Sequence, residues 1–312
     1  LLAALTAIGP LSTDMYLASL PDIARQFDAS TAHVQLTISS YLIGFAVGQI
    51  VYGPLSDRHG RKPVLLAAVA LYCVASLACA LATSIEMLIV ARAVQALGGS
   101  GGIVLARAIV RDLYSGARAG RELSVMGAVM ALAPVLAPIA GGLLQTGLGW
   151  RSVFFTLVGV GLIGAGVVWP LLPETLPARA AEPVSPSSML KSYRVVARNP
   201  AYLAYLGLAS TGFGGLFAWI SGTSFVLQNL YGLTPFQFGV AFAVGSVGYM
   251  CGTVLAARLV MRLGIDRTLG IGAGAMAAGG LGMVMAVALG LTSAASLVLP
   301  MALYLAGLGM VL

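Results

Sequence analysis

Gly53-Pro54-Leu55-Ser56-Asp57-Arg58-His59-Gly60-Arg61-Lys62 sets five ionisable residues between two long apolar runs, Val34 to Tyr52 before it and Val64 to Ala82 after it. In a chain with only 9% charged residues, that density needs a reason. The simplest geometry is a tight turn at a membrane surface, with Gly53 and Gly60 supplying backbone freedom and Arg58, Arg61 and Lys62 facing the aqueous side.

The rest of the chain repeats this alternation. Hydrophobic residues make up 59% of it and the mean hydropathy is +0.96, more apolar surface than a soluble fold can bury. A helix needs about 20 apolar residues to span a bilayer, and ten such runs are centred near Gly9, Gly44, Tyr72, Ala96, Leu132, Leu162, Thr211, Gly248, Ala277 and Leu303. They are continuously apolar and do not alternate, which predicts an all-α polytopic membrane protein rather than a barrel.

The net charge of +7 serves orientation and not nucleic-acid binding, because the cations fall in short clusters between apolar runs. Of the 17 Lys and Arg, fourteen fall after the even-numbered runs: Arg58, Arg61 and Lys62; Arg107, Arg111, Arg118 and Arg121; Arg179, Lys191, Arg194 and Arg198; Arg258, Arg262 and Arg267. The opposite side holds Arg25 and Arg151, which places the even loops and the N-terminus in the cytoplasm.

The longest connection, Pro173 to Asn199, is rich in Pro, Glu and Ser and cannot bury a core. The expected organisation is a six-helix bundle over 1–172, a cytoplasmic linker over 173–199 and a second bundle over 200–312 with about four of six helices. An offset of 204 residues places Gly44 on Gly248, Gly48 on Gly252, Leu55 on Leu259, Arg58 on Arg262 and Gly60 on Gly264, the pattern of a parallel duplication. The chain begins without Met and ends inside an apolar run, so both ends read as cut, with about two helices expected beyond Leu312.

Asp14 is the one carboxylate well inside an apolar run and Arg92 the one such cation. A buried charge costs several kcal/mol, so each needs a partner or a task. Both sit roughly 10 Å below the outer surface at 1.5 Å per residue. One reading is structural, an ion pair or a carboxyl bonded to Ser12 or Thr13; the other is that Asp14 binds and releases a proton. The glycines of Gly98-Gly99-Ser100-Gly101-Gly102 would let a neighbouring helix approach closely. In the fifth run Pro134 and Pro138 are expected to bend the helix, while Gly127, Gly141 and Gly142 give a flat packing face.

The seventh run mixes aromatics with hydroxyls, an adaptable lining for large, weakly polar molecules or ordinary packing. Cys73, Cys79 and Cys251 read as small buried hydrophobes, and His33 and His59 as solvated. No span clusters nucleophiles, metal ligands or His/Asp sets, so no catalytic residue, metal or cofactor is expected.

Gly53-x-Leu55-Ser56-Asp57-Arg58-x-Gly60-Arg61-Lys62 resembles the signature between helices two and three of the major facilitator superfamily. Arg92-Ala-Val-Gln95-Ala-Leu-Gly98-Gly99 is similar to its fourth-helix motif, with Ala96 where Gly is usual, and Pro138-Ile-Ala-Gly141-Gly142 to its antiporter motif, with Ala137 in place of Gly. Ser12-Thr13-Asp14-Met15-Tyr16-Leu17 with Leu20-Pro21 resembles the bicyclomycin and chloramphenicol resistance (Bcr/CflA) branch of bacterial twelve-helix drug:proton antiporters.

The resemblance implies a monomeric inner-membrane exporter of amphipathic drugs, exchanging them for protons as two bundles rock. Asp14 would couple the proton and Arg92 tune it. The Gly127 to Gly142 helix would seal against leak. Gly53, Asp57, Arg58, Gly60, Arg61 and Lys62 would form the cytoplasmic gate, with Asp57 meeting the start of an eleventh helix. Tyr41, Phe45, Gln95, Phe217 and Trp219 are candidates for the substrate cavity. An exporter of sugars or other metabolites on the same fold is the alternative, and a membrane enzyme or receptor a more distant one.

Overall fold

The computed structural model describes residues 2–176, Arg194 and 196–312, and all regular structure among them is helical. The chain divides into two compact units, Leu1–Pro183 and Val184–Leu312. The connection expected over 173–199 falls from Pro177 to Tyr193, and at Val195, outside the described residues.

In the first unit the helices are α1 (Leu2–Thr6), α2 (Ile8–Leu17), α3 (Leu20–Gln26), α4 (Thr31–His59), α5 (Arg61–Ala80), α6 (Ile85–Leu113), α7 (Gly116–Leu148) and α8 (Arg151–Leu171). In the second they are α9 (Pro200–Phe225), extended by a π-turn over Val226–Leu230, then α10 (Pro235–Leu263), α11 (Ile265–Ala288) and α12 (Ala295–Val311). Eight are long and apolar enough to cross a membrane. Some start at local caps: Ser30 accepts the His33 N–H, Ser84 that of Met87, and Thr234 exchanges a full capping box with Gln237 behind Pro235. Their outward faces carry Ile43, Val74, Ile163, Leu281 and Val284, each about two-thirds exposed, apolar surface of the kind that lipid or a neighbouring helix covers.

Three local readings are corrected. The first apolar run is not one helix but three pieces, interrupted at Ala7 and at Ala18–Ser19. The turn expected from Gly53 to Lys62 shrinks to Gly60 alone. Gly53 to His59 stay helical, because Pro54 removes one donor but the surrounding i→i−4 bonds persist, and only Gly60 adopts a positive φ, +101°. Cys251 is exposed on α10, whereas Cys73 and Cys79 are buried.

Without a hydrophobic force between helices in lipid, close backbone approach must hold them together, and glycine permits it. A Cβ on Gly44 of α4 would lie 2.1 Å from the Ala93 carbonyl oxygen of α6, and one on Gly98 of α6 would lie 2.5 Å from the Tyr72 nitrogen of α5. Gly102 meets the Leu5 carbonyl of α1 in the same way. The glycine-rich stretch of α6 therefore makes that helix the centre of the first unit.

Candidate functional site

The polar core of the first unit forms where α2, α4, α5, α6 and α8 converge on Arg92. Its side chain is fully buried, with the guanidinium carbon 4.2 Å from the Tyr41 ring centre, 4.6 Å from Tyr16 and 5.8 Å from Phe154. Away from water a cation over aromatic faces gains about 2 kcal/mol, which offsets part of its desolvation. Nη1 donates to the Ser12 carbonyl, 3.0 Å, and to Gln95 Oε1, 2.6 Å. Among the described residues Nε and Nη2 have no hydrogen-bond partner.

Asp14, 6% exposed on α2, forms no ion pair with Arg92 and no hydrogen bond among the described residues. Ser12 and Thr13 do not serve it. The Ser12 hydroxyl bonds the Ile8 carbonyl and the Tyr72 hydroxyl, and Thr13 bonds the Gly9 carbonyl. The carboxyl and the guanidinium thus sit on touching helices, linked through the α2 backbone at Ser12 instead of to each other.

Gln95 is buried behind Arg92. Its Oε1 accepts from Arg92, and its Nε2 donates to Ser76 Oγ at 2.8 Å. Tyr41 is engaged in the same core, its hydroxyl on the Gly9 carbonyl and its ring stacked on half-buried Phe45 at 6.1 Å. In the second unit Phe217 stacks on Phe213, while Trp219 packs on the core of Met276, Met301, Leu305 and Leu308.

On α7, Gly141 lies so close to α2 that a Cβ would stand 2.1 Å from the Met15 carbonyl, one residue past Asp14. Gly142 is buried beside it, Gly127 faces open space, and the helix runs unbroken through Pro134 and Pro138.

At the α4–α5 turn, Arg58 is exposed and Lys62 half-exposed, but Arg61 turns inward, contrary to its expected aqueous position. It pairs with Asp57 one helical turn back, 2.6 Å, and with Asp112 at the end of α6, 2.8 Å, and donates to Ser56 Oγ, 2.6 Å. Burying the cation becomes tolerable because two carboxylates face it. Glu174, just past α8, closes the turn from outside: its carboxylate accepts the backbone N–H groups of Arg61, 2.9 Å, and Lys62, 3.3 Å.

Partial desolvation pushes the Glu174 pKa up, but the N–H groups of Leu176, Arg61, Lys62 and Thr175 outweigh it and hold the carboxyl below the usual glutamate range. The stabilisation they confer is complete above the ordinary glutamate pKa and is lost as pH falls through the lowered folded value. Sequence reasoning missed Asp112, Glu174, Ser76, Tyr72 and Phe154. Asp112 had a signal, being the one acid between Arg107, Arg111 and Arg118.

Apolar helices of membrane length, glycine-seated packing, a buried Arg–carboxyl pair of helices and a charged turn at one end define a polytopic helical membrane protein. The family model described as Major Facilitator Superfamily matches residues 2–312, and the chain belongs to that superfamily. An MFS-type transporter of Bacillus subtilis strain 168, YdgK, is 36% identical over 260 residues, 83% of this chain and 65% of that protein. The bicyclomycin resistance protein homolog of Haemophilus influenzae is 33% identical, over 86% of this chain and 68% of that protein. The chloramphenicol resistance protein of Pseudomonas aeruginosa is 30% identical, over 99% and 72%. This chain therefore spans about two thirds of the length of the curated relatives it matches. The crystal structure of a bacterial homologue of the human lysosomal transporter Spinster, inward-facing and unoccupied, shares the fold with a TM-score of 0.70 at 22% identity, over 99% of this chain and 73% of that one.

Proposed function

We propose that this chain works as a proton-coupled exporter of amphipathic drugs, a non-enzymatic monomer in a bacterial inner membrane with its N-terminus in the cytoplasm. The observation that carries this reading is Asp14, a carboxyl buried in a membrane helix with no hydrogen bond or ion pair among the described residues. A neutral acid tolerates such a place and an ionised one does not, so occupancy by a proton changes which arrangement of the surrounding helices is favoured. The names of the bicyclomycin and chloramphenicol resistance relatives support drugs as the cargo.

In this reading Asp14 binds the proton, and the two unpaired nitrogens of Arg92 offer the ionised carboxyl a countercharge when the helices shift. Gly141, seated on Met15, transmits movement between α7 and the Asp14 helix, and Gly142, Pro134 and Pro138 complete that helix's role as a seal, whereas Gly127, facing open space, takes no part in it. Asp57, Arg58, Gly60, Arg61 and Lys62, reached from Gly53, form the cytoplasmic gate. Tyr41, Phe45, Phe217 and Trp219 contribute aromatic surface to the substrate, and Gln95 acts from behind by holding Arg92. Drug and proton must each favour a different conformational state, because a ligand shifts an equilibrium only by its differential affinity.

The test is transport by the full-length gene product in proteoliposomes under an imposed pH gradient. Asp14→Asn should lower drug movement at least about tenfold, the effect of losing an essential proton site, with membrane insertion unchanged. Undiminished transport removes Asp14 from the mechanism.

A further inference from the structure

We propose that Glu174 is the positioning residue of the charged turn between α4 and α5: it fixes the first turn of α5 so that the Arg61 side chain is held between Asp57 and Asp112.

The argument starts from an uncapped helix. The first N–H groups of any α-helix lack intrahelical partners, and a Ser, Thr, Asp or Asn before the helix normally takes one. Before α5 stands Gly60, which has no side chain to offer, so the N-cap residue itself caps nothing. Glu174, 113 residues further along, supplies the cap. Oε1 takes the Arg61 N–H and Oε2 the Lys62 N–H, so one carboxylate satisfies two successive donors of the first turn. An anion at this end also meets the positive pole of the helix.

The carboxylate is itself held. Oε1 also accepts from Thr175, 2.9 Å, and Leu176, 3.0 Å, which wraps the segment after α8 around it. Gly60 completes the fit: a Cβ there would stand 2.5 Å from Oε2, and its φ of +101° disfavours any other residue. Arg61 is thereby gripped twice, by Glu174 through its backbone and by Asp57 and Asp112 through its side chain. The side-chain geometry requires the backbone grip, because rotating the first turn of α5 would carry the guanidinium away from α6. The end of α8, the end of α6 and the α4–α5 turn are in this way tied through one residue.

The consequence for transport rests on the gate reading above, but the test does not. Hydrogen–deuterium exchange on the full chain in detergent should show the Arg61 and Lys62 amides exchanging about tenfold faster in Glu174→Ala, with the interior of α5 unchanged. The isosteric Glu174→Gln keeps one acceptor and should give a smaller acceleration; it carries the measurement if the alanine variant fails to fold. Unchanged exchange at both amides overturns the cap. Positioning is read by a double-mutant cycle: Asp112→Asn should cost clearly less thermal stability in the Glu174→Ala background than in the parent, whereas strictly additive losses reduce Glu174 to a local cap and overturn the proposal. Both measurements stand whether or not the protein exports drugs, so their failure and that of the efflux assay are distinguishable.

Discussion

Gly44 and Gly48 on α4 approach the backbone of α6 at Ala93 and Leu97, and Gly248 and Gly252 on α10 approach the backbone of α12 at Ala302 and Ala306. The hypothetical Cβ distances to the carbonyl oxygens of Ala93 and Ala302 are 2.1 and 2.3 Å, so the two units are held by the same contact made twice. The correspondence continues where Gly98 abuts Tyr72 and Gly307 abuts Met276, and where Gly60 and Gly264 both end a helix with positive φ. What differs is the chemistry placed on this frame. At the position of Arg92 relative to its glycine contacts, the second unit has Met301, and at that of Gln95 it has Tyr304.

The first unit therefore buries a cation, and the second fills the same room with an apolar core in which Tyr304 donates to the Gly212 carbonyl, 3.0 Å. Backbone packing and polar chemistry are separable here. One frame carries a half built for charge and a half built for packing.

Exchanging the two fillings should give the largest effect. Met301→Arg would place an uncompensated charge among Met276, Leu305 and Leu308 and should destabilise the protein by about 3–5 kcal/mol, seen as a lower Tm in detergent. The reverse change, Arg92→Met, removes a buried cation but takes the donor from Gln95 Oε1 and the Ser12 carbonyl, so it should cost no more than about 1–3 kcal/mol while abolishing pH-driven transport. If Arg92→Met instead unfolds the protein, the cation is structural and the contrast between the units is lost.

Next come the shared contacts. Gly44→Ala and Gly248→Ala should each cost about 1–3 kcal/mol, and by similar amounts, because each methyl meets a backbone carbonyl that cannot rotate away. Gly53→Ala, which faces nothing within 4 Å inside a helix, should gain about 0.5–1 kcal/mol in the same thermal assay. Unequal losses at Gly44 and Gly248 would show that the two frames are not equivalent. Of similar size is Tyr304→Phe, which removes one hydroxyl donor and should cost about 1 kcal/mol without touching transport; a transport defect would give the second unit a polar role after all.

Much of this frame was readable from residues alone. Run length gave the spans, since crossing hydrocarbon sets a minimum helix length, and the offset of Gly44 and Gly48 onto Gly248 and Gly252 marked the repeat that close packing later explains. The break at Ala18–Ser19 has a local signal in Pro21, which stands in the first turn of α3 and has no N–H to give the Leu17 carbonyl, but the docking of α3 had none. α3 is clasped by Gln145 on Asp22, 2.9 Å, and by Trp150 on Gln26, both residues from more than a hundred positions away. Gln95 illustrates the same limit: a polar residue on an apolar helix predicts a partner or a cavity, and spacing cannot choose between them.

Composition and charge order alone determined that this chain is a set of membrane helices and that Asp14 and Arg92 are the isolated charges within its apolar runs. Both follow from local costs, the transfer of peptide and charge into hydrocarbon, which each segment incurs independently of fold. Only the tertiary structure decided that Arg92 rests on Tyr16 and Tyr41 with its contact to α2 through Ser12, that Arg61 faces inward to Asp57 and Asp112, and that Glu174 caps a helix 113 residues before it. Those pairings join residues far apart in sequence, and side-chain geometry, not composition, selects among the partners that burial makes possible.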